Sequence, residues 1–236
     1  MLRKLLSEAG RFVYPSRCVG CGKFDELLCA TCVSSTVRAD GSGRCRFCCA
    51  EWPDASANCP RCYHLQALDG VRAVFEMAGP ARAAIHELKY RYVRSVAREM
   101  ARHMAALRDQ TPLDFALAVP LHRSRKRERG FNQADDLVSA LAWPRPDGLL
   151  ERMKKTDRQV GLHPGKRRSN VAGAFAYRGQ RLDGLTVGLV DDVVTTGATA
   201  NACAEVLREH GARHVYAYAF ARKSYDPADP AAPIVD

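Results

Sequence analysis

Nine of the ten cysteines of this chain lie between Cys18 and Cys62, and Cys203 stands alone in the remainder. Eight of the nine form four Cys-x-x-Cys pairs: Cys18 and Cys21, Cys29 and Cys32, Cys45 and Cys48, Cys59 and Cys62. Two residues between sulfurs let both thiolates of a tight turn reach one tetrahedral ion, and two such turns close a four-thiolate site. Four pairs make two sites, for one or two structural zinc ions. Gly20, Gly22 and Pro60 suit the tight turns. Joining neighbouring pairs needs the shortest loops, although spacing leaves interleaved pairing open. Four thiolates leave no position for water, so these sites serve folding and docking rather than catalysis. Cys49 reads as a spare thiol or small hydrophobe, and His64 as a solvated surface residue.

The uneven cysteine usage divides the 236 residues. Residues 1–69 read as an N-terminal helix and double zinc ribbon, 70–225 as an enzyme-like domain, and 226–236 as a loose, proline-rich tail. A ribbon module this small, with few large apolar side chains, needs its metal. In the first residues Leu2, Leu5, Leu6, Ala9 and Val13 recur at helical spacing until Pro15. That stretch has no cleavable leader pattern, and no run of the chain is apolar enough to span a bilayer. The expectation is a cytoplasmic protein without membrane insertion, in a reducing compartment where paired cysteines bind metal rather than each other.

The formal charge of +10 is concentrated between Leu121 and Arg168, where 13 Lys or Arg face 6 Asp or Glu. Eight thiolates and two zinc ions would lower the total by 4, so the ribbons are not notably basic.

From residue 70 onward strands alternate with helices, the pattern of an α/β layer on a parallel sheet. Val71–Met77 reads as a strand, Pro80–Lys89 as a helix opened by proline, and Arg94–Arg108 as a second helix. Val96, Met100, Met104 and Leu107 form one face of that second helix and belong to the core. Asp114–Pro120 is a short apolar strand, followed by a basic loop and a helix with Phe131, Ala134, Leu137, Val138 and Leu141 turned inward. Ala198–Gly211 reads as a helix closed by Gly211, and Val215–Phe220 as the next strand.

Val187–Thr199, VGLVDDVVTTGAT, carries the chemistry. A buried strand beginning at Leu185 breaks at Asp191 and Asp192, then becomes a small polar loop before a helix. Thr195, Thr196 and Thr199 supply hydroxyls, Gly197 permits close backbone approach, and the helix start presents free amides with a positive dipole end. A phosphate fits there. Ionised Asp191 and Asp192 accept hydrogen bonds only, which suits two neighbouring hydroxyls. A ribose 5-phosphate has both features.

Two other stretches border this site. Arg123, Arg125, Lys126, Arg127 and Arg129 put five cations into seven residues at the exit of a strand, where open parallel sheets bind ligands. An anion such as pyrophosphate belongs near them. Glu151–Phe175 has three glycines, a proline and weak periodicity, and reads as a long loop entering a strand. His163 within it reads as a surface residue.

VGLVDDVVTTGAT resembles the phosphoribosyl pyrophosphate (PRPP) binding motif of the type I phosphoribosyltransferases. The resemblance implies that Asp191 and Asp192 hold ribose hydroxyls while Val193, Val194, Thr195, Thr196, Gly197, Ala198 and Thr199 form the phosphate-binding run. VPLHRSRKRERGFNQA, the LKY element at Leu88–Tyr90 and the cysteine pairs resemble the competence protein F (ComF) family. That likeness implies a type I phosphoribosyltransferase fold behind a zinc ribbon, and places Arg129, Asn132 and Gln133 at the mouth of the site. It also implies a hood over PRPP carrying Thr156, Gln159, Leu162, Arg167 and Asn170.

The function so implied is transfer of ribose 5-phosphate from Mg²⁺-bound PRPP to an unidentified acceptor, with pyrophosphate leaving. Lys89, Tyr90, Arg123, Arg129, Asn132, Gln133, Gln159, Arg167 and Asn170 are candidates around the diphosphate or hood, and Asp191, Asp192, Arg129 and Lys89 the catalytic set. Some members of the family are linked to DNA uptake, so uptake proteins are implied partners. The competing expectation is a non-catalytic PRPP sensor or single-stranded-DNA-binding module. Against it, Phe131 is the one aromatic near the basic loops, so no stacking platform is evident in sequence.

Overall fold

The computed structural model describes residues 16–52, 59–153 and 173–223. The N-terminal helix, the tail and the hood, with Thr156, Gln159, Leu162, His163, Arg167 and Asn170, lie outside the described residues. In chain order come α1 (Ala30–Ser34), a 3-10 turn (Pro60–Cys62), β1 (Gly70–Glu76), α2 (Gly79–Tyr90), α3 (Ser95–Met104) and α4 (Leu107–Gln110). Then follow β2 (Phe115–Ala118), α5 (Arg123–Arg129), α6 (Gln133–Leu141), β3 (Gly148–Arg152) and β4 (Phe175–Gly179). β5 (Thr186–Val194), α7 (Ala198–Glu209) and β6 (His214–Arg222) complete the described chain.

β1, β6, β5 and β2 form one parallel sheet in that order, and β3 pairs with β4 antiparallel. Helices cover both faces, so the central strands are apolar without alternation: Val187, Leu189 and Val190 of β5 are fully buried. A methyl group on Gly188 would lie 2.8 Å from Leu113 and 3.0 Å from the Tyr218 ring, so only glycine lets that ring cross the sheet. The buried Tyr218 hydroxyl donates to the Thr111 carbonyl at 2.7 Å.

Two cores lie on the sheet, and each takes in one group of cysteines. Cys45, Cys48, Cys49 and Cys59 join Leu65, Leu68, Val187, Leu189, Ala217 and the inward face of α7, including Cys203 and Leu207. Cys18, Cys29 and Cys32 join Phe75, Val190, Phe220 and the inward faces of α2, α3 and α6. The cysteine-rich segment also closes the open edge of β1. Ala39 N donates to Val74 O at 3.0 Å, Glu76 N to Val37 O at 2.8 Å and Val71 N to Phe47 O at 2.6 Å. Asp69 ties the segment to the far end of the chain through Arg208 Nη2 at 2.6 Å, His214 Nδ1 at 3.1 Å and Val215 N at 2.6 Å.

Four elements differ from their sequence-based expectations. β5 does not break at the acids but runs through Asp191 and Asp192 to Val194, because its backbone stays paired with β6 as far as Arg222. The stretch expected to be a basic loop is the helix α5, started by His122 Nδ1 accepting from Ser124 N at 3.2 Å and ended by Gly130 at φ 77°. Arginine and lysine are good helix formers, and cations in a last turn complement the dipole. No residue of α5 is buried, so it has no apolar period to betray it. The expected helix over 94–108 tightens at Ala105 and Ala106, where Arg108 N bonds to Ala105 O at 3.3 Å, and divides into α3 and α4. The expected loop of 151–175 opens and closes with the β3–β4 pair, in which Gly148 faces Gly179 beneath Tyr177.

Candidate functional site

The cysteines gather as Cys18, Cys21, Cys29, Cys32 and as Cys45, Cys48, Cys59, Cys62, with all sulfurs of a group within 4.8 Å of one another. Neighbouring pairs therefore join, which decides the alternative the spacing left open. A tetrahedral ion with metal–sulfur bonds of about 2.3 Å requires sulfurs about 3.8 Å apart. Cys21 and Cys29 stand at 3.6 Å, and Cys45–Cys62 and Cys48–Cys59 at 3.9 Å. Both groups fit a zinc ion. Burial raises the Cys18 thiol, but amides of Cys29, Cys21 and Gly20 outweigh it and bring the thiol down to about 6. Burial pushes Cys48 up to about 12. Four sulfurs this close together suit a cation, which would draw all of them into the thiolate form. Cys49 stands apart, its backbone at φ 55° and its buried thiol donating to Val71 O at 3.1 Å.

The acids of β5 lie at the carboxyl end of the sheet, where three other elements meet them. Lys89, near the C-terminus of α2, places Nζ 2.5 Å from Asp192 Oδ2. Gln133, the first residue of α6, donates from Nε2 to Asp192 Oδ1 at 3.1 Å. Arg129, the last residue of α5, donates from Nη1 to Gln133 Oε1 at 2.6 Å and lies 5.8 Å over the Tyr90 ring. A chain of polar contacts thus runs from the exposed guanidinium region to a carboxylate only 1% exposed. Asp191 Oδ1 accepts from Asp192 N at 2.8 Å.

Two adjacent buried carboxyls beside one ammonium do not ionise alike. Burial and the negative Asp192 hold the Asp191 carboxyl well above its ordinary range. Burial acts on Asp192 too, but the Lys89 charge and the hydrogen bonds from Asp191, Lys89 and Gln133 hold it below that range. Burial opposes the charge on Lys89, and the two acids overcome that opposition. The two acids are therefore driven apart, Asp191 toward its protonated form and Asp192 toward the ionised form that pairs with Lys89.

Thr195, Thr196 and Thr199 are half-buried around the start of α7, whose N-cap is Gly197 at φ 85°. Thr196 Oγ1 accepts from Ala198 N at 3.3 Å. The Gly197 N-cap itself bears no capping side chain, and the positive end of the α7 dipole at this point favours an anion. Gly197 is required for a second reason, absent from the sequence reading: a side chain there would meet Leu65 at 2.9 Å. Val194 packs in one core and Val193 against the other, so both contribute backbone to the site.

Other candidates fall elsewhere. Asn132 is spent on structure: its Oδ1 accepts from Ala134 N at 3.3 Å and its Nδ2 donates to Val119 O at 3.2 Å. Arg123 is exposed, 3.9 Å from Glu151. Tyr90 is exposed beside the site, and Tyr92 packs edge-on against Phe131 at 5.9 Å. No stacking platform is expected from sequence because Phe131 is the one aromatic near the basic loops; folding sets Tyr92 against Phe131 and Tyr90 under Arg129. His64, expected on the surface, is half-buried and reaches Thr196 O at 3.1 Å.

No family model matches the chain. A relative from Haemophilus influenzae, described as competence protein F, is 29% identical over 221 residues, covering 87% of this chain and 96% of that protein. The DNA utilization protein YhgH of Salmonella typhi is 32% identical over 163 residues, 64% of this chain and 70% of its own length. This chain belongs to the competence protein F family. Among solved structures, the orotate phosphoribosyltransferase of Mycobacterium tuberculosis with bound PRPP aligns with 63% of this ComF-family chain and 89% of its own, at 18% identity and TM-score 0.35. A hypoxanthine phosphoribosyltransferase of Staphylococcus aureus covers 60% of the ComF-family chain and 70% of its own, at 12% identity and TM-score 0.37. Likenesses at that level carry no argument here, and the reading of the site rests on its residues. No described helix is long and apolar enough to cross a membrane.

One residue of this ComF-family chain escaped the sequence reading altogether. Arg152 ends β3, is buried, and lies 5.4 Å over the Phe175 ring. Burial and the charge of Arg125 push its guanidinium below the usual arginine range, while Cys203 and Asp191 pull the other way. It is therefore a second cation close to the acids, on a strand that ends just before the stretch expected to form the hood. Nothing in the local sequence marks it, because a strand-end arginine looks the same whether it faces water or a site.

Proposed function

We propose that this protein binds Mg²⁺-PRPP and transfers its ribose 5-phosphate to an unidentified acceptor, releasing pyrophosphate. The observation that carries this reading is the placement of Asp191 and Asp192 near the carboxyl end of β5, one short turn before the Gly197 start of α7. That arrangement offers hydroxyl acceptors and a phosphate cradle within one strand-turn-helix unit. Breaking the bond at the anomeric carbon leaves positive charge on the ribose and negative charge on the departing diphosphate. Magnesium enters with the diphosphate as part of the substrate. Arg129 and Arg152 are the cations best placed to face the leaving group, Lys89 being held by Asp192 until the ligand competes for that carboxylate. Asp191, shifted toward its protonated form, suits a donor contact to one ribose oxygen, while Asp192, shifted toward its carboxylate, suits an acceptor contact to another. The hood residues Gln159, Arg167 and Asn170 complete the site in this proposal, limiting hydrolysis by excluding water.

The names of the relatives, competence and DNA utilization proteins, suggest that the reaction or the bound PRPP serves DNA handling in the cytoplasm. A second reading is favoured by one specific cluster: exposed Tyr92 against Phe131, and exposed Tyr90 under Arg129 at the end of the cationic α5. Such a surface suits the bases and backbone of a single strand, with PRPP then a regulator.

Calorimetry on the zinc-loaded chain tests the first reading. Saturable heat with Mg²⁺-PRPP, lost in the Asp191→Asn, Asp192→Asn double variant, is expected, and a flat titration of the unaltered chain refutes it. Pyrophosphate release in a screen of nucleobases, amines and nucleic acids separates turnover from sensing. Salt-sensitive DNA binding that survives in the double variant would show the two activities to be separable.

A further inference from the structure

We infer that the strip Cys62–Leu68, anchored by the second four-thiolate cage, is the outer wall of the phosphate loop and holds it in its ligand-binding shape. The inference rests on the phosphate-binding reading above, and extends it to the metal cage as the part of the fold that governs that loop.

The contacts are direct and come from several residues. Pro60–Cys62 forms a tight turn, and Leu65 N donates to Cys62 O at 2.9 Å, so the residue that reaches the loop is bonded to a ligand residue of the cage. Leu65, 1% exposed, fills the face that Gly197 leaves open. His64 Nε2 donates to Thr196 O at 3.1 Å, which fixes the proton on that nitrogen. Ala67 N donates to Asn201 Oδ1 at 3.0 Å, and Asn201 N to Gly197 O at 2.8 Å, tying the strip to the first turn of α7. The loop's other end is strapped as well. Buried Arg222 donates from Nε to Cys48 O at 2.8 Å and from Nη1 to Val194 O at 3.2 Å, joining the cage to the residue just before Thr195.

A loop whose amides must converge on an anion binds weakly if it first has to be ordered. Beside the main-chain pairing of Val194 with β6, this stretch is held by the strip and by Arg222, which links it to Cys48 of the second cage. The first cage lies in the other core, where Gly20 abuts Pro80 at the start of α2, and makes none of these contacts. His64, Leu65 and Arg222 are therefore positioning residues, and the two cages are predicted to be unequal in their effect on the site.

The test compares full-length, zinc-loaded variants by amide hydrogen exchange across Thr195–Asn201 and by calorimetry with inorganic phosphate and Mg²⁺-PRPP. Leu65→Ala keeps every cysteine and is expected to retain both zinc ions. It should speed exchange in the loop about tenfold and weaken anion binding by about the same factor, while Leu65→Met restores both. Cys62→Ser should loosen the loop likewise, and Cys21→Ser in the first cage should not. Unchanged loop exchange in Leu65→Ala overturns the inference, as does equal loosening by Cys21→Ser. If the unaltered chain binds neither phosphate nor PRPP, the proposed function fails, and the exchange comparison still decides this inference.

Discussion

Replacing Lys89 by methionine removes the cation from a nearly dry ion pair and leaves most of the side-chain volume in place. Asp192 is 1% exposed and the Lys89 side chain 16% exposed, so little water is available to replace the lost ammonium. Removing one partner of a buried pair costs about 3–5 kcal/mol. Here the lower end, about 3 kcal/mol, is expected, because Gln133 still donates to Asp192 at 3.1 Å. The sign of the pH dependence follows from the same geometry. With Lys89 present, Asp192 is held below its ordinary range, and its contribution is present above the unfolded value and lost as pH falls. In the variant the pair of acids has no adjacent ammonium, so the folded state favours their protonated forms. Its stability is then lost as pH rises from the ordinary carboxylate range through the raised value, giving a steeper decline with pH than the unaltered chain has. Urea unfolding of zinc-loaded protein, followed by fluorescence of the buried Trp143, measures both effects. The double variant Lys89→Met, Asp192→Asn should recover most of the loss, since removing both charges leaves none uncompensated. A single variant as stable as the unaltered chain at pH 8, with no added pH slope, would refute the electrostatic account of this site.

Three further outcomes follow from the packing. Tyr218→Phe leaves the buried Thr111 carbonyl without its donor and should cost about 1–2 kcal/mol by urea unfolding, with PRPP binding unchanged. Gly197→Ala must clear Leu65 and adopt φ 85°, so a loss of about 1–3 kcal/mol is expected, together with weaker phosphate binding in the same calorimetric titration. Removing zinc with a chelator at neutral pH should loosen both cores, seen as loss of protection in β1 and α2 as well as α7, because each cage belongs to a different layer.

Much of the architecture was legible in the residues. The apolar run Val187–Val190 and the alternation of strands with helices point to a parallel sheet, and the helix stripe Val96, Met100, Met104 identifies its own buried face. Paired cysteines announce metal cages because the geometry of a four-thiolate site is local, set by two intervening residues. Where the sequence misled, local pattern was the wrong guide. The helix α5 has no apolar period, and the acids at 191 and 192 look like a strand break although main-chain pairing with β6 carries the strand past them.

Within the chain itself, then, were written the elements, the metal-ligating pairs and the strand-turn-helix run that nominates Asp191, Asp192 and the threonines. Folding alone decided the company they keep. Lys89, Gln133 and Arg129 reach the acids from three different helices, Arg152 comes from a strand with no mark upon it, and His64 and Leu65 arrive from a cysteine-rich segment about 130 residues earlier in the chain. A motif records the neighbours of a residue along the backbone. Charge pairing, proton sharing and loop support depend on neighbours across space, and those are fixed only when the two cores close on the sheet.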